Sequence, residues 1–200
     1  MKKLQALFLI SLLAGAPLYA QTHHAGEKTL PPAARQWVEI SVAATRSFAR
    51  LQDRGGNSQL PYQDGLSGRA LLIVFPWLSL GAEGTWFEKE KDIPFVSVAK
   101  THRYGAVAKF TLTPDTQPKV YLLAGAGKTK REFAYSFHFS ETDTTDYLSL
   151  AVGLEAQAWR GIFVAAEGHE MYYAHTLRSD FFQKKHRWEP GLSVRAGVRF

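Results

Sequence analysis

His138 and Ser140, in the stretch HFS, are the residues whose types and spacing come closest to a nucleophile and its base. An imidazole two positions from a hydroxyl can take its proton, and Glu141 or Glu155 could orient the ring. The pair falls in a long polar connection, near 128–146, where no rigid element holds base against nucleophile. No catalytic residue is therefore expected. His23 and His24 are adjacent, but they sit in QTHHAGEKTLPPAA (21–34), where Pro31 and Pro32 argue against helix or central strand. That segment reads as a flexible leader with a solvated histidine pair. The absence of cysteine removes thiolate metal sites and a disulfide framework. Neither a metal nor a cofactor is expected.

A second set of chemically active residues is spread through the chain. Glu39, Glu83, Glu155 and Glu167 recur against Arg69, Lys109, Arg195 and Arg199, each set among serine, threonine, glycine and alanine. The elements that position them show period two from Arg35 onward, which argues for strands. In the first, Val38, Ile40, Val42, Ala44 and Phe48 share one face and Glu39, Ser41, Ala43 and Thr45 the other. A second runs over about 64–75, with Gly68, Ala70, Leu72 and Val74 opposite Arg69. WLSLGAEGTWF sets Leu78, Leu80, Ala82 and Trp86 against Ser79, Gly81, Glu83 and Thr85. The fourth, about 101–113, sets Tyr104, Ala106, Ala108, Phe110 and Leu112 against Arg103, Gly105, Val107, Lys109 and Thr111. KVYLLAGAG is the fifth, and the sixth carries Glu155 on its polar face. The seventh, about 162–173, places Glu167 and His169 on one side, and GLSVRAGVRF (191–200) closes the set.

Connection lengths alternate. Strand pairs 2–3, 4–5 and 6–7 are joined by a few residues. Pairs 1–2, 3–4, 5–6 and 7–8 are joined by long polar stretches near 49–63, 88–100, 128–146 and 174–189. This predicts an all-β chain: an eight-stranded antiparallel up-and-down transmembrane barrel with every long loop at one end, the asymmetry of bacterial outer-membrane barrels. A soluble lipocalin-like barrel, binding a ligand in the periplasm, would turn its apolar face inward. The polar faces here are too sparsely charged to face water, and four acids against four bases suit an interior that must be filled by side chains. Trp37, Trp77, Trp159 and Phe200 are expected at the short-turn end, and Phe48, Trp86, Tyr104, Tyr147 and Tyr172 at the long-loop end, as two interfacial belts. The predicted lumen ion network is Glu39, Arg69, Glu83, Lys109, Glu155, Glu167, His169, Arg195 and Arg199, with Arg195 held by Glu155 or Glu167.

The first twenty residues, MKKLQALFLISLLAGAPLYA, have the basic start, apolar run and small cleavage-site residues of a signal peptide. The domain reading is therefore signal peptide 1–20, leader 21–34 and barrel 35–200. Without Lys2 and Lys3 the formal charge falls from +6 to +4, too diffuse to argue for nucleic acid.

The signal peptide, LSLGAEGTWF, YLLAGAG, AAEGHEMYY and the terminal VRF resemble the small outer-membrane β-barrel family of Gram-negative bacteria, which includes OmpX-like proteins and the membrane domain of OmpA. The resemblance covers about residues 35–200. It implies that Phe200, Val198 and Ala196 form the signal read by the barrel-assembly machinery, with both termini periplasmic. HFS resembles the His-x-Ser pair of lipid A deacylase barrels, which belongs on a late strand; here that strand reads EGHEMYY, with Met171 where serine would be needed. A lipid A-modifying enzyme is thus the alternative to a non-enzymatic surface barrel. Basic clusters supply the lipopolysaccharide-contact candidates Lys89, Lys91, Lys128, Lys130, Arg131, Lys184, Lys185 and Arg187, which can pair with phosphate. Phe133, Tyr135, Phe137 and Phe139 alternate, which suggests a hairpin protruding above the membrane. An extracellular protein ligand is a further candidate partner, and the barrel is expected to be a monomer.

Overall fold

A computed structural model of the protein describes residues 36–48, 51–53, 58–60, 62–89, 96–135, 140–175, 182–183 and 187–200. The expected signal peptide and leader lie outside the described residues. Eight strands form one closed barrel: β1 (Val38–Ser47), β2 (Gln63–Phe75), β3 (Leu78–Lys89), β4 (Val96–Thr111), β5 (Lys119–Tyr135), β6 (Ser140–Trp159), β7 (Ile162–Tyr173) and β8 (Trp188–Arg199). Each pairs antiparallel with its sequence neighbours, and β8 closes on β1, where Glu39 stands opposite Arg199 and Ile40 opposite Val198. Phe200 extends this seam: its N–H donates to the Val38 carbonyl at 3.0 Å, and its own carbonyl accepts from Trp37 at 2.6 Å.

The side-chain alternation of the sequence becomes an inside and an outside. Glu39, Ser41, Ala43 and Thr45 are buried in the lumen, while Ile40 and Val42 point outward. Leu66, Leu72, Leu80, Leu150, Val152, Leu154 and Leu192 are likewise exposed on the outer wall. Apolar outside and polar inside is the arrangement of a barrel in lipid. Trp37, Trp77, Trp159 and Phe200 are exposed at the short-turn end, and Trp86, Tyr104 and Trp188 towards the other. Tyr147 departs from the expected outer belt. Its parity on β6 turns it into the lumen, where it packs with Met171 and Tyr173.

The stagger of the barrel follows from the ladders. A row of paired residues begun at Trp188 runs through Tyr172, Leu148, Ala126, Ala106, Ala82, Ala70 and Ile40 and returns to β8 at Val198, ten residues further on. Such a shear in eight strands corresponds to a tilt of about 40°. Rungs therefore descend through the wall, from near the long-loop end at Trp188 to near the short-turn end at Val198.

The turn between β6 and β7 requires glycine. Gly161 has φ +72, and a Cβ there would come 2.7 Å from the Arg199 carbonyl oxygen. Three of the long connections differ from the sequence reading. Much of 128–146 is ladder, because β5 continues to Tyr135 and β6 begins at Ser140. The first and last long connections are joined by a small sheet in which Leu51–Asp53 pairs with both Ser58–Leu60 and Phe182–Gln183. The alternation of Phe133 continues inward, since Phe133 is buried; Phe137 and Phe139 lie outside the described residues.

A closed barrel with every central strand laddered on both edges should resist detergent until heated. Unboiled protein is expected to migrate apart from boiled protein in a detergent gel. Identical mobility would contradict the fold.

Candidate functional site

The lumen is packed by three groups of charges. Nearest the short turns, Glu39 on β1 and Glu155 on β6 meet Lys109 on β4 and Arg199 on β8. Lys109 Nζ donates to both Glu39 oxygens, at 3.1 and 3.0 Å, and to Glu155 at 2.7 Å. Arg199 Nη2 donates to Glu39 at 2.8 Å and to Glu155 at 2.5 Å. Both cations also lie against rings: the Lys109 ammonium is 4.5 Å from the Tyr121 centroid and the Arg199 guanidinium 4.6 Å from that of Phe163.

In the middle, Arg69 on β2 and Arg195 on β8 meet Glu83 on β3 and Glu167 on β7. Arg69 makes a fork with Glu167, Nη1 to Oε1 at 2.6 Å and Nη2 to Oε2 at 3.0 Å, while its Nε donates to Glu83. Arg195 donates to Glu167 at 3.3 Å, to Ser41 Oγ at 3.2 Å and to Ser67 Oγ at 3.0 Å, with Glu83 at 3.4 Å. Tyr121 Oη donates to Glu167 at 2.8 Å. The Tyr121 ring occupies the space over Gly153, where any Cβ would meet it at 2.2 Å.

Towards the long loops, Arg103 on β4 crosses the lumen to Glu189 on β8, and Ser47 Oγ donates to the same carboxylate. Arg131 on β5 lies 3.7 Å from Glu189 and 3.8 Å from Asp143, 4.4 Å over the Tyr173 ring. His175 Nε2 is 3.4 Å from Asp143, and its Nδ1 is 3.2 Å from Thr145 Oγ1. Each of the three groups sets two guanidinium or ammonium groups against two carboxylates, so no group carries an uncompensated charge. Between the middle and outer groups lies a cavity of about 40 Å³ lined by Arg69, Glu83, Arg103, Met171 and His169 among others. His169 joins no ion pair, and its Nε2 has no hydrogen-bond partner among the described residues.

Eight of the nine residues expected in the lumen network are thus brought together in two of the groups, and His169 stands apart from them. Arg195 is held by Glu167 and Glu83; Glu155 is taken by Lys109 and Arg199. The outer group was missed. Arg103 shares the parity of Lys109, so its inward direction was legible. Glu189 shares the parity of Arg195, but Pro190 and an assigned loop over 174–189 obscured it. Arg131 is a correction: expected at the lipopolysaccharide surface, it is buried in the lumen, because β5 keeps its alternation past Gly127. The lumen is also less polar than expected. Leu71, Val107, Tyr121, Leu123, Phe163 and Ala165 form an inward apolar cluster around the charges.

The other surface candidates divide. Lys128 and Lys130 are exposed on the outer face of β5, and Arg187 is exposed with Nη1 donating to Tyr172 Oη at 3.1 Å. Lys130 bonds Glu132 at 2.6 Å. His102 pairs across the ladder with Lys130, and Lys100 with Glu132. Lys89 lies in β3 with its side chain outside the description; Lys91, Lys184 and Lys185 lie outside the described residues, as does His138. Ser140 is exposed at the start of β6, and Met171 is buried.

A closed eight-stranded barrel with a charge-filled lumen and an apolar outer wall is the architecture of the small outer-membrane barrels, and the solved structures of similar fold agree. Neisserial surface protein A (NspA) matches at TM-score 0.57 and 18% identity, covering 82% of this chain and 97% of that one. Ail, the attachment invasion locus protein of Yersinia pestis, solved in complex with the heparin analogue sucrose octasulfate, matches at TM-score 0.54 and 17% identity, covering 82% and 99%. These likenesses are of fold. No protein-family model and no curated protein matches the sequence.

Removing one member of a buried group strands its partners. Glu189→Gln leaves Arg103 and Arg131 short of counter-charge and should cost about 3–5 kcal/mol in urea unfolding; Arg195→Ala, which leaves Glu83 and Glu167 to share Arg69, should cost a similar amount. Arg46→Ala breaks only the exposed Arg46–Asp64 pair, at 2.6 Å, and should cost about 0–1 kcal/mol. Equal midpoints for all three would mean that the lumen charges are solvated.

Proposed function

We propose that this chain is a non-enzymatic surface barrel of the Gram-negative outer membrane that contacts lipopolysaccharide at its outer rim. The observation that carries this reading is the separation of its charges. Inside, among the described residues, they pair with one another across the lumen and fill most of it. Outside, Lys100, His102 and Lys130 gather on adjacent strands at the long-loop end, with Lys128 one rung deeper on β5 and Arg187 beside Tyr172. Ammonium and guanidinium groups at that depth are suited to the phosphates of lipid A.

Export by the signal peptide, periplasmic termini and assembly through Phe200, Val198 and Ala196 belong to the same reading. Phe200 lies on the seam between β8 and β1, bonded to Val38 and Trp37. An extended anionic ligand outside the cell is a second role; Ail has been crystallised with a sulfated sugar, and the basic rim is its counterpart here.

Replacing Lys100 and Lys130 by glutamate should lower co-purifying lipopolysaccharide several-fold while leaving the heat-dependent gel shift intact. Unchanged lipid content would remove the rim from the reading. Lipid A extracted from cells expressing the protein should keep its acyl composition; loss of an acyl chain would favour the deacylase instead.

A further inference from the structure

Among the described residues of the outer wall, Glu170, Lys128 and Asp146 close no ion pair. Glu170 on β7 points outward, exposed, and its ladder neighbours are Leu150 on β6 and Pro190 on β8. Gly168 and Tyr172 flank it along the strand. No hydrogen bond or ion pair reaches its carboxylate among the described residues. A carboxylate in that setting is disfavoured by lipid, and ionisable groups on a membrane-facing wall commonly mark a contact. Lys128 is its counterpart on β5, exposed and likewise without an ion pair among the described residues. Asp146 stands opposite Lys128 in the ladder, but the two close no ion pair. The other outward pairs on these walls are self-satisfied: Arg46 with Asp64, and Lys130 with Glu132.

The stagger relates the two charges. Lys128 pairs with Asp146, four residues above Leu150 on β6, and Leu150 pairs with Glu170. With a rise of about 3.3 Å per residue, about 4.8 Å between strands and a tilt of about 40°, Lys128 lies within about 4 Å of the depth of Glu170. They stand roughly 16 Å apart around the wall by the same geometry. Leu148, 59% exposed, lies midway. Below Leu148 the tilt carries the wall onto Ala106, Ala108, Ala124 and Ala126, whose short side chains leave the backbone close to the surface. Small residues allow membrane-embedded backbones to approach closely.

A two-fold axis along the membrane normal brings the left flank of one face against the right flank of the other, so residue i meets j twice. We propose that two copies of this chain pair side by side in the membrane across the β5–β6 wall, Lys128 of each meeting Glu170 of the other, with Leu148 at the axis. This goes beyond the surface-barrel reading and takes Lys128 out of its lipid contacts, leaving Lys100, Lys130 and Arg187 to them. The pairing gives Glu170 and Lys128 an ion-pair partner at one depth, and the alanine wall lets the barrels close enough to make it.

The natural chain has no cysteine, which gives a clean background for cross-linking. Leu148→Cys in native membranes, treated with a short bis-maleimide, should yield a covalent dimer; Leu66→Cys, lipid-facing on β2 across the barrel from β6, should not. In the Leu148→Cys background, Glu170→Lys and Lys128→Glu should each lower the dimer several-fold, and the two together should restore it. The heat-dependent gel shift verifies that each variant is folded, and lipopolysaccharide content, carried by Lys100 and Lys130, should not follow the dimer. Equal cross-linking from both cysteines, or single reversals without effect, would overturn the pairing. Failure of the double reversal to restore it would overturn the Lys128–Glu170 contact.

Discussion

A lumen walled by eight strands is too narrow for a column of water, so a charged side chain that enters it must be neutralised by another from across the barrel. Taking a carboxylate or guanidinium from water costs several kcal/mol, recovered only by close, multiple hydrogen bonds. That constraint explains the distribution of groups in this protein. Lys109 holds Glu39 and Glu155 together from two different strands, and Arg69 bridges Glu83 and Glu167. Arg103 reaches the full width of the lumen to Glu189. Apart from Arg69–Glu83, which pairs across the β2–β3 ladder, these bonds link strands that are not ladder neighbours, so the charges act as struts between walls that backbone hydrogen bonds alone would connect only around the circumference.

The struts need room, and the sequence provides it with small residues on the same face. Gly153 accommodates the Tyr121 ring, which in turn presents its hydroxyl to Glu167. Serines 41, 67 and 193 complete the hydrogen bonding of Arg195 and Glu167 without adding bulk or charge. Aromatic rings from Phe87, Tyr121, Phe163 and Tyr173 lie against the cations. Among the described residues, the rim and the outer wall carry the exposed charges. Those surfaces are where the proposed lipopolysaccharide contact and the proposed pairing both lie.

Much of the fold was legible because a strand's period is two and a membrane inverts its meaning. Glu39, Arg69, Glu83, Lys109, Glu155, Glu167, Arg195 and Arg199 each stood alone among small polar residues on an otherwise apolar strand, and parity was enough to turn them inward. Parity failed where composition suggested a loop. The run KTKRE read as a basic cluster, yet Lys130 points out and Arg131 in, because β5 continues for several residues beyond the small residues Gly125 and Gly127. Tyr147 read as a belt residue for the same reason: aromatic type was given more weight than its position in the alternation. Glu189 was hidden by Pro190, which reads as a strand breaker but is tolerated next to the end of β8.

The sequence by itself determined the number of barrel strands, the faces of most of them, the end at which the long loops fall and the charge balance of the lumen. All of these depend on local alternation and composition. It could not determine which charge meets which, because partners across a barrel depend on its shear, a property of the closed ladder that no single strand contains. The same shear brings Lys128 and Glu170 to one depth on the outer wall although neither their spacing in sequence nor their strands suggest it. Tertiary structure decided those pairings because a stagger of ten residues around eight strands converts positions along the chain into heights in the membrane.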